Sequence, residues 1–69
     1  MKSRIHLKRD KAVIDIEQLT VVNVCSDKVT EFPIENVSQL PLSDDLSYVF
    51  VGNKTVAISG AEILYVDFV

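Results

Sequence analysis

The stretch YVFVGNKTVAISGAEILYVDFV, residues 48–69, decides the fold of this chain, because it alternates strand-like segments with turns. Unbroken apolar runs stand at residues 49–51 and 63–66, inside segments rich in β-branched and aromatic residues. A half-buried strand alternates apolar and polar side chains, so unbroken runs predict strands that are covered on both faces. A chain of 69 residues has little else with which to cover them. We therefore predict a closed small barrel, a partner chain, or both.

The rest of the chain also reads as short strands joined by turns. Tight turns at Asp10-Lys11 and Ser26-Asp27-Lys28 predict two hairpins, and residues 36–47 predict a crossing loop with one helical turn near Ser43–Leu46. About six or seven strands are expected, over residues 4–8, 12–17, 20–25, 29–32, 48–51, 55–58 and 62–68.

The predicted fold class is all-β, with residues 1–69 as a single domain. We expect a small antiparallel barrel or curled sheet of about six strands, in the size range of SH3-like and Sm-like folds, with no substantial helix. Gly52 and Gly60 both fall at predicted turns, where we expect them to supply the positive φ that other residues resist. Their positions favour a meander of strands over flexible linkers.

One segment, Val56 to Val66, resembles the second conserved motif of Sm-like RNA-binding proteins. In that family an apolar strand ends in a small polar or basic residue and a glycine, here Ser59 and Gly60, and then resumes as an apolar strand. The resemblance covers about a sixth of the chain, with serine where many members have arginine. It implies a small barrel that assembles through these strands, and a turn that contacts RNA bases.

Charge is distributed unevenly along the chain, whose formal net charge is −3. Residues 1–11 carry five basic side chains and one acidic one, a net +4, whereas residues 12–69 carry two basic and nine acidic ones, a net −7. A basic edge can contact phosphate, or it can protect an edge strand from aggregation and pair with acids elsewhere in the fold. We favour the second interpretation, because the overall acidity opposes nucleic-acid binding. The candidates for contact with a partner's acidic or phosphate groups are Arg4, Lys8 and Arg9.

The sequence offers little for catalysis or metal binding. His6 and Cys25 are the only residues of their types, and they lie far apart in the sequence, whereas nucleophilic catalysis needs a nucleophile, a base and an orienting group together. The pair Asp44-Asp45 lacks the spaced ligands and the turn glycine of a calcium loop. We therefore predict no enzyme activity, no cofactor and no metal. The single cysteine and the lack of a signal-peptide or membrane-spanning pattern predict a cytoplasmic protein.

Three classes of function stay open from the sequence. The first and preferred is a non-enzymatic β interaction module that self-associates into a homo-oligomer and binds another protein. The second is an Sm-like nucleic-acid-binding barrel that uses the basic first strand and the Ser59-Gly60 turn. The third is an oligomer that binds or sequesters a small ligand. The chain also has the general character of small bacterial or phage proteins, some of which inhibit host proteins; a phage-type inhibitor ranks below the interaction module, because a net charge of −3 is weak for a nucleic-acid mimic. The predicted interface anchors are Tyr48, Phe50, Ile63 and Tyr65.

Overall fold

The computed structural model describes the backbone of residues 1–69 and every side chain except that of Ser38. The chain forms two antiparallel sheets, one with strand order β2-β1-β7 and the other with strand order β4-β3-β5-β6. The last strand therefore returns to pair with the first. The strands are β1 (Ser3–Leu7), β2 (Val13–Ile16), β3 (Val21–Cys25), β4 (Val29–Pro33), β5 (Ser47–Val51), β6 (Thr55–Ser59) and β7 (Ile63–Phe68).

The predicted all-β class and the two predicted hairpins are confirmed, but the predicted barrel is not. The predicted meander of the last three strands is interrupted, because β7 pairs with β1 rather than with β6. Neither sheet closes on itself, so β2 and β7 are the edges of the three-stranded sheet and β4 and β6 are the edges of the four-stranded sheet. The two sheets share one core, because alternate side chains along their strands point inward and are buried between the sheets. Its buried members are Ile5, Ile16, Leu19, Val22, Val24, Val37, Tyr48, Phe50 and Ile63.

The unbroken apolar runs have different explanations in the two sheets. In β5, Phe50 is buried in the core while Val49 and Val51 are half-buried on the opposite side of the sheet. In β7, the register against β1 shifts next to Leu7, and Leu64 is exposed. A register shift of this kind adds a residue to one strand and re-aims the side chains around it. The runs therefore come from an apolar outward surface in one sheet and an irregularity in the other.

Helical structure is limited to two short 3-10 segments, Ile34–Gln39 and Gly60–Glu62. The first lies partly within the predicted crossing loop and contributes the buried Val37 to the core. In place of the helical turn predicted near Ser43–Leu46 there is a single hydrogen-bonded turn, in which the Leu46 N–H donates to the Ser43 carbonyl at 3.2 Å. Within the described part of the chain, no helix has the length and apolar character needed to cross a bilayer.

The crossing loop is held to the core by Tyr48, whose ring is fully buried. The Tyr48 hydroxyl donates to the Pro41 carbonyl and accepts a hydrogen bond of 3.0 Å from the Ser43 N–H. A buried tyrosine normally satisfies its hydroxyl in this way. This side chain therefore ties residues 41–43 to the middle of the four-stranded sheet.

The two glycines lie at turns as predicted, but the predicted positive φ is wrong for both of them. A methyl group on Gly52 would lie 2.6 Å from the Glu17 carbonyl oxygen, and one on Gly60 would overlap the Ser43 carbonyl oxygen. Glycine is needed at these positions because neighbouring backbone comes too close for a side chain. Positive φ occurs instead at Asp10 (61°) and Lys11 (52°), in the predicted β1–β2 turn.

Candidate interaction surfaces

The structure separates the four predicted interface anchors. Tyr48 and Phe50 are 0% exposed and Ile63 is 5% exposed, so all three belong to the core of one chain. They are not available to a second molecule in this fold, and the interface role predicted for them needs correction. Only Tyr65, at 46% exposure, lies on the surface.

The outward side of the four-stranded sheet carries an apolar surface that we call the outer face. Strand pairing places Asn23 between Glu31 and Val49, and Val49 next to Ala57, so the side chains form continuous rows across all four strands. The only ionisable carboxylate or ammonium on this face is that of Glu31, on the edge strand β4. The outer face consists of Val21, Asn23, Cys25, Val29, Glu31, Pro33, Ser47, Val49, Val51, Thr55, Ala57 and Ser59.

Valines dominate the centre of the outer face, and small hydroxyl groups lie at its margin. Val21, Val49 and Val51 are half-buried by their neighbours, and Val29, on the edge strand, is 63% exposed. An apolar centre that lacks charge, surrounded by a polar rim, is the composition of protein–protein interfaces. The sequence analysis missed this surface, although the β-branched run at residues 20–25 and the run at residues 49–51 both contribute to it.

Asn23 is the polar exception at the centre of the outer face. Its Oδ1 is buried and has no hydrogen-bond partner among the described residues. A buried polar atom without a partner lowers stability by about 1–3 kcal/mol. The position therefore departs from what stability alone would favour, and a valine would fit the pattern of the surrounding strands better.

The outward side of the three-stranded sheet, which we call the polar face, has a different chemistry and consists of Arg4, His6, Val13, Asp15, Tyr65 and Asp67. The His6 ring stacks on Tyr65 with centroids 4.1 Å apart and planes at 15°, and the His6 Nε2 lies 2.9 Å from the Asp67 Oδ2. Cys25 lies on the outer face of the other sheet, so the fold does not assemble a cysteine–histidine dyad. The arrangement orients His6 but brings no thiol nucleophile to it.

The predicted basic edge is divided and largely paired with acids. The Arg4 Nε lies 3.8 Å from the Asp15 Oδ1, on the polar face, and the Lys8 Nζ lies 3.6 Å from the Asp44 Oδ1. Arg9 lines a shallow cavity of about 250 Å³ beside the β1–β2 turn. Lys8, Asp10 and Glu62 line the same cavity, together with Leu7, Ala12 and Ala61. Basic and acidic groups are therefore mixed here, and no continuous cationic surface runs along β1.

The Ser59-Gly60 turn, which resembles part of the Sm-like motif, packs inward. Gly60 is buried, and its N–H donates to the Leu46 carbonyl at 2.8 Å. The Ser59 Oγ accepts a hydrogen bond of 3.3 Å from the Ala61 N–H and caps the short 3-10 segment. The Gly60 N–H and the Ser59 Oγ therefore have partners within the chain.

Among the described side chains, no group of three histidine, cysteine, aspartate or glutamate residues is placed to hold a metal ion. The second cavity, at the joined chain ends, is open and lined by Met1, Lys2, Glu17, Gln18, Asn53 and Val69. Neither cavity contains the nucleophile, base and orienting group that covalent catalysis requires.

Comparison with protein-family models, with curated proteins and with solved structures gave no match to this chain.

Proposed function

We propose that this chain is a non-enzymatic interaction module that binds another protein through the outer face and also associates with a second copy of itself. The observation that carries the proposal is the outer face, in which apolar side chains from four strands surround one asparagine and only Glu31 is charged. Such a surface is favourable when it is removed from water against an apolar partner. The expected partner presents a flat, uncharged and largely apolar surface with a polar group that can pair with the Asn23 amide.

The charge pattern favours a protein partner over a nucleic acid. Phosphate binding requires several unpaired basic groups on one surface, because each neutralised phosphate adds to affinity. The outer face carries no lysine or arginine, while Arg4 and Lys8 already have carboxylate neighbours. The Sm-like nucleic-acid-binding function is therefore ranked below protein binding.

The size of one cavity and the openness of the other give the small-ligand alternative less support. Pockets that enclose small molecules usually have volumes of about 300–1,000 Å³ and bury most of the ligand. The more enclosed cavity measures about 250 Å³ and lies at an exposed turn. The larger cavity, about 500 Å³ at the joined chain ends, is open to solvent and would leave much of a ligand uncovered. The thiol of Cys25 is unpaired on the outer face. A cytoplasmic location belongs to the proposal, because a reducing compartment would protect that thiol from oxidation.

The outer face of one chain is small for a stable complex. Four strands about 4.8 Å apart, with five residues of about 3.4 Å each, give a projected area of about 300 Å². Stable interfaces bury about 800 Å² on each partner. A single copy is therefore expected to bind weakly, and assembly of two copies into one larger surface would strengthen binding.

Site-specific photo-crosslinking in the native host tests the proposal. Benzoylphenylalanine replaces Val49 on the outer face or, as the matched control, Leu64, which is 58% exposed on the other sheet. We expect one reproducible protein adduct from position 49 that is absent from position 64. The adduct should disappear when Val51→Lys is added, because a charge at the centre of the face would have to be desolvated. Equal adducts from both positions, or none from position 49, would contradict the proposal.

A further inference from the structure

One of the four sheet edges lacks the features that normally prevent pairing with another strand. The edge β4 carries Glu31 and ends at Pro33, the edge β2 carries Asp15, and the edge β7 carries Asp67 and a register shift. Charges, prolines and bulges are the usual protection of exposed edges. The edge β6, with the sequence TVAIS at residues 55–59, has none of them.

The backbone of β6 presents alternate hydrogen-bonding groups to solvent. The ladder between β5 and β6 is bracketed by two bonds, from the Gly52 N–H to the Lys54 carbonyl at 3.0 Å and from the Gly60 N–H to the Leu46 carbonyl at 2.8 Å. In an antiparallel pair the bonded residues alternate along each strand. The even-numbered residues of β6 therefore bond to β5, and residues 55, 57 and 59 direct their N–H and C=O groups to the open edge.

We propose that β6 pairs with β6 of a second copy in an antiparallel ladder whose twofold axis passes beside Ala57. The sequence of the strand is close to self-complementary about this residue. With Ala57 opposite Ala57 of the second copy, Thr55 lies opposite Ser59 and Val56 lies opposite Ile58, each pair occurring twice. Hydroxyl pairs and pairs of β-branched residues are both favourable across strands. Residues 55, 57 and 59 then supply six backbone hydrogen bonds that a single copy leaves to water.

The neighbouring charges agree with the same pairing. Lys54 directly precedes the strand and Glu62 follows it by three residues, and both are exposed. Antiparallel pairing brings Lys54 of each copy to the end of the ladder that carries Glu62 of the other copy. Opposite charges at both ends favour this register over one in which the strands slip.

Pairing in this register joins two four-stranded sheets into one sheet of eight strands. The two outer faces become continuous, which raises the projected area to about 600 Å² and brings it close to that of a standard interface. The inference rests on the proposed function in so far as it specifies the self-association. It requires no second protein, so it can be tested on the purified chain alone.

The first test measures solution mass by light scattering after size exclusion, over a hundredfold range of concentration. We expect the mass to double with rising concentration for the natural chain and to stay at one chain for Ala57→Lys, which places two ammonium groups beside the axis. Ala57 is exposed, so the variant should fold, and an unchanged circular dichroism spectrum checks this. Val29→Lys, an equal charge change on the opposite edge of the same sheet, should still dimerise. A natural chain that stays monomeric, or an Ala57→Lys variant that dimerises equally well, would overturn the inference.

The second test determines the register by oxidation in a Cys25→Ala background. Bonded residues opposite each other in an antiparallel pair have Cα atoms about 5.5 Å apart, within the range for a disulfide. Ala57→Cys should therefore form a linked dimer. Thr55→Cys should not, because the two copies of residue 55 are separated by four residues along the ladder, about 13 Å. Linking of Thr55→Cys but not of Ala57→Cys would refute the register, while loss of the photo-crosslinked partner with the dimer intact would refute only the protein-binding function.

Discussion

Replacing Tyr48 with phenylalanine removes the hydroxyl that ties the crossing loop to the core while keeping the buried ring. The Pro41 carbonyl loses its donor and the Ser43 N–H loses its acceptor. Each such bond contributes about 0.5–1.5 kcal/mol net, so the free energy of unfolding should fall by about 1–3 kcal/mol. The free energy of unfolding of a folded protein is about 0.05–0.15 kcal/mol per residue, which for this chain is about 3–10 kcal/mol in total. A loss of about 2 kcal/mol would lower Tm by about 8–16 °C for a domain of this size.

Urea denaturation followed by far-ultraviolet circular dichroism measures this loss at equilibrium. The matched control is Tyr65→Phe, because Tyr65 is 46% exposed and its ring contact with His6 survives the substitution. We expect the control to change stability by less than about 0.5 kcal/mol. Equal effects of the two substitutions would show that the hydroxyl of Tyr48 does not hold the loop, and would refute the reasoning.

Three further substitutions test other features of the fold by the same urea assay. Ser3→Ala should leave stability unchanged or raise it by up to about 1 kcal/mol, because the buried Ser3 hydroxyl has no partner among the described residues; a loss above about 1 kcal/mol would indicate a missed bond. Lys11→Gly should raise stability by about 1 kcal/mol by relieving the positive φ, whereas Lys28→Gly, where φ is not positive, should not. Gly60→Ala should cost about 3 kcal/mol or more, because the added methyl would meet the Ser43 carbonyl; a stable variant would show that the backbone can move.

The strands were predictable from the sequence because local pattern determines them. The alternation of apolar and polar residues on both sides of Asp10-Lys11 predicts the first hairpin. In the structure both turn residues have positive φ, which fits a tight β-turn between antiparallel strands. The 3-10 helix at residues 34–39 was not predicted, since a segment of six residues is too short to show a helical period. Its buried residue, Val37, is held by tertiary packing rather than by local preference.

The side on which each apolar residue lies was not predictable from the sequence. From the sequence, Tyr48 is predicted to anchor an interface because tyrosine combines an apolar ring with a polar tip. The same property serves the interior here, since the tip reaches the backbone of residues 41–43. Conversely, the sequence pattern predicts that Val49 and Val51 are buried in a strand covered on both faces, whereas in the structure they lie on the outer face. Only the assignment of strands to sheets distinguishes these outcomes, because it determines which side of each strand another layer covers.

The contrast between edges within one molecule strengthens the argument for assembly. A chain of 69 residues has a small core, so unprotected apolar surface and an open edge expose it to aggregation. Three edges carry a charge, a proline or a register shift, and the outer face carries Asn23 at its centre. An amide at that position penalises contact with a purely apolar surface, because such a surface offers no hydrogen-bond partner to the amide. The same chain leaves β6 without such protection, in a strand whose sequence complements itself about Ala57. Selective protection of this kind is expected if β6 pairs with one defined partner strand and the outer face accepts only a surface that can satisfy an amide.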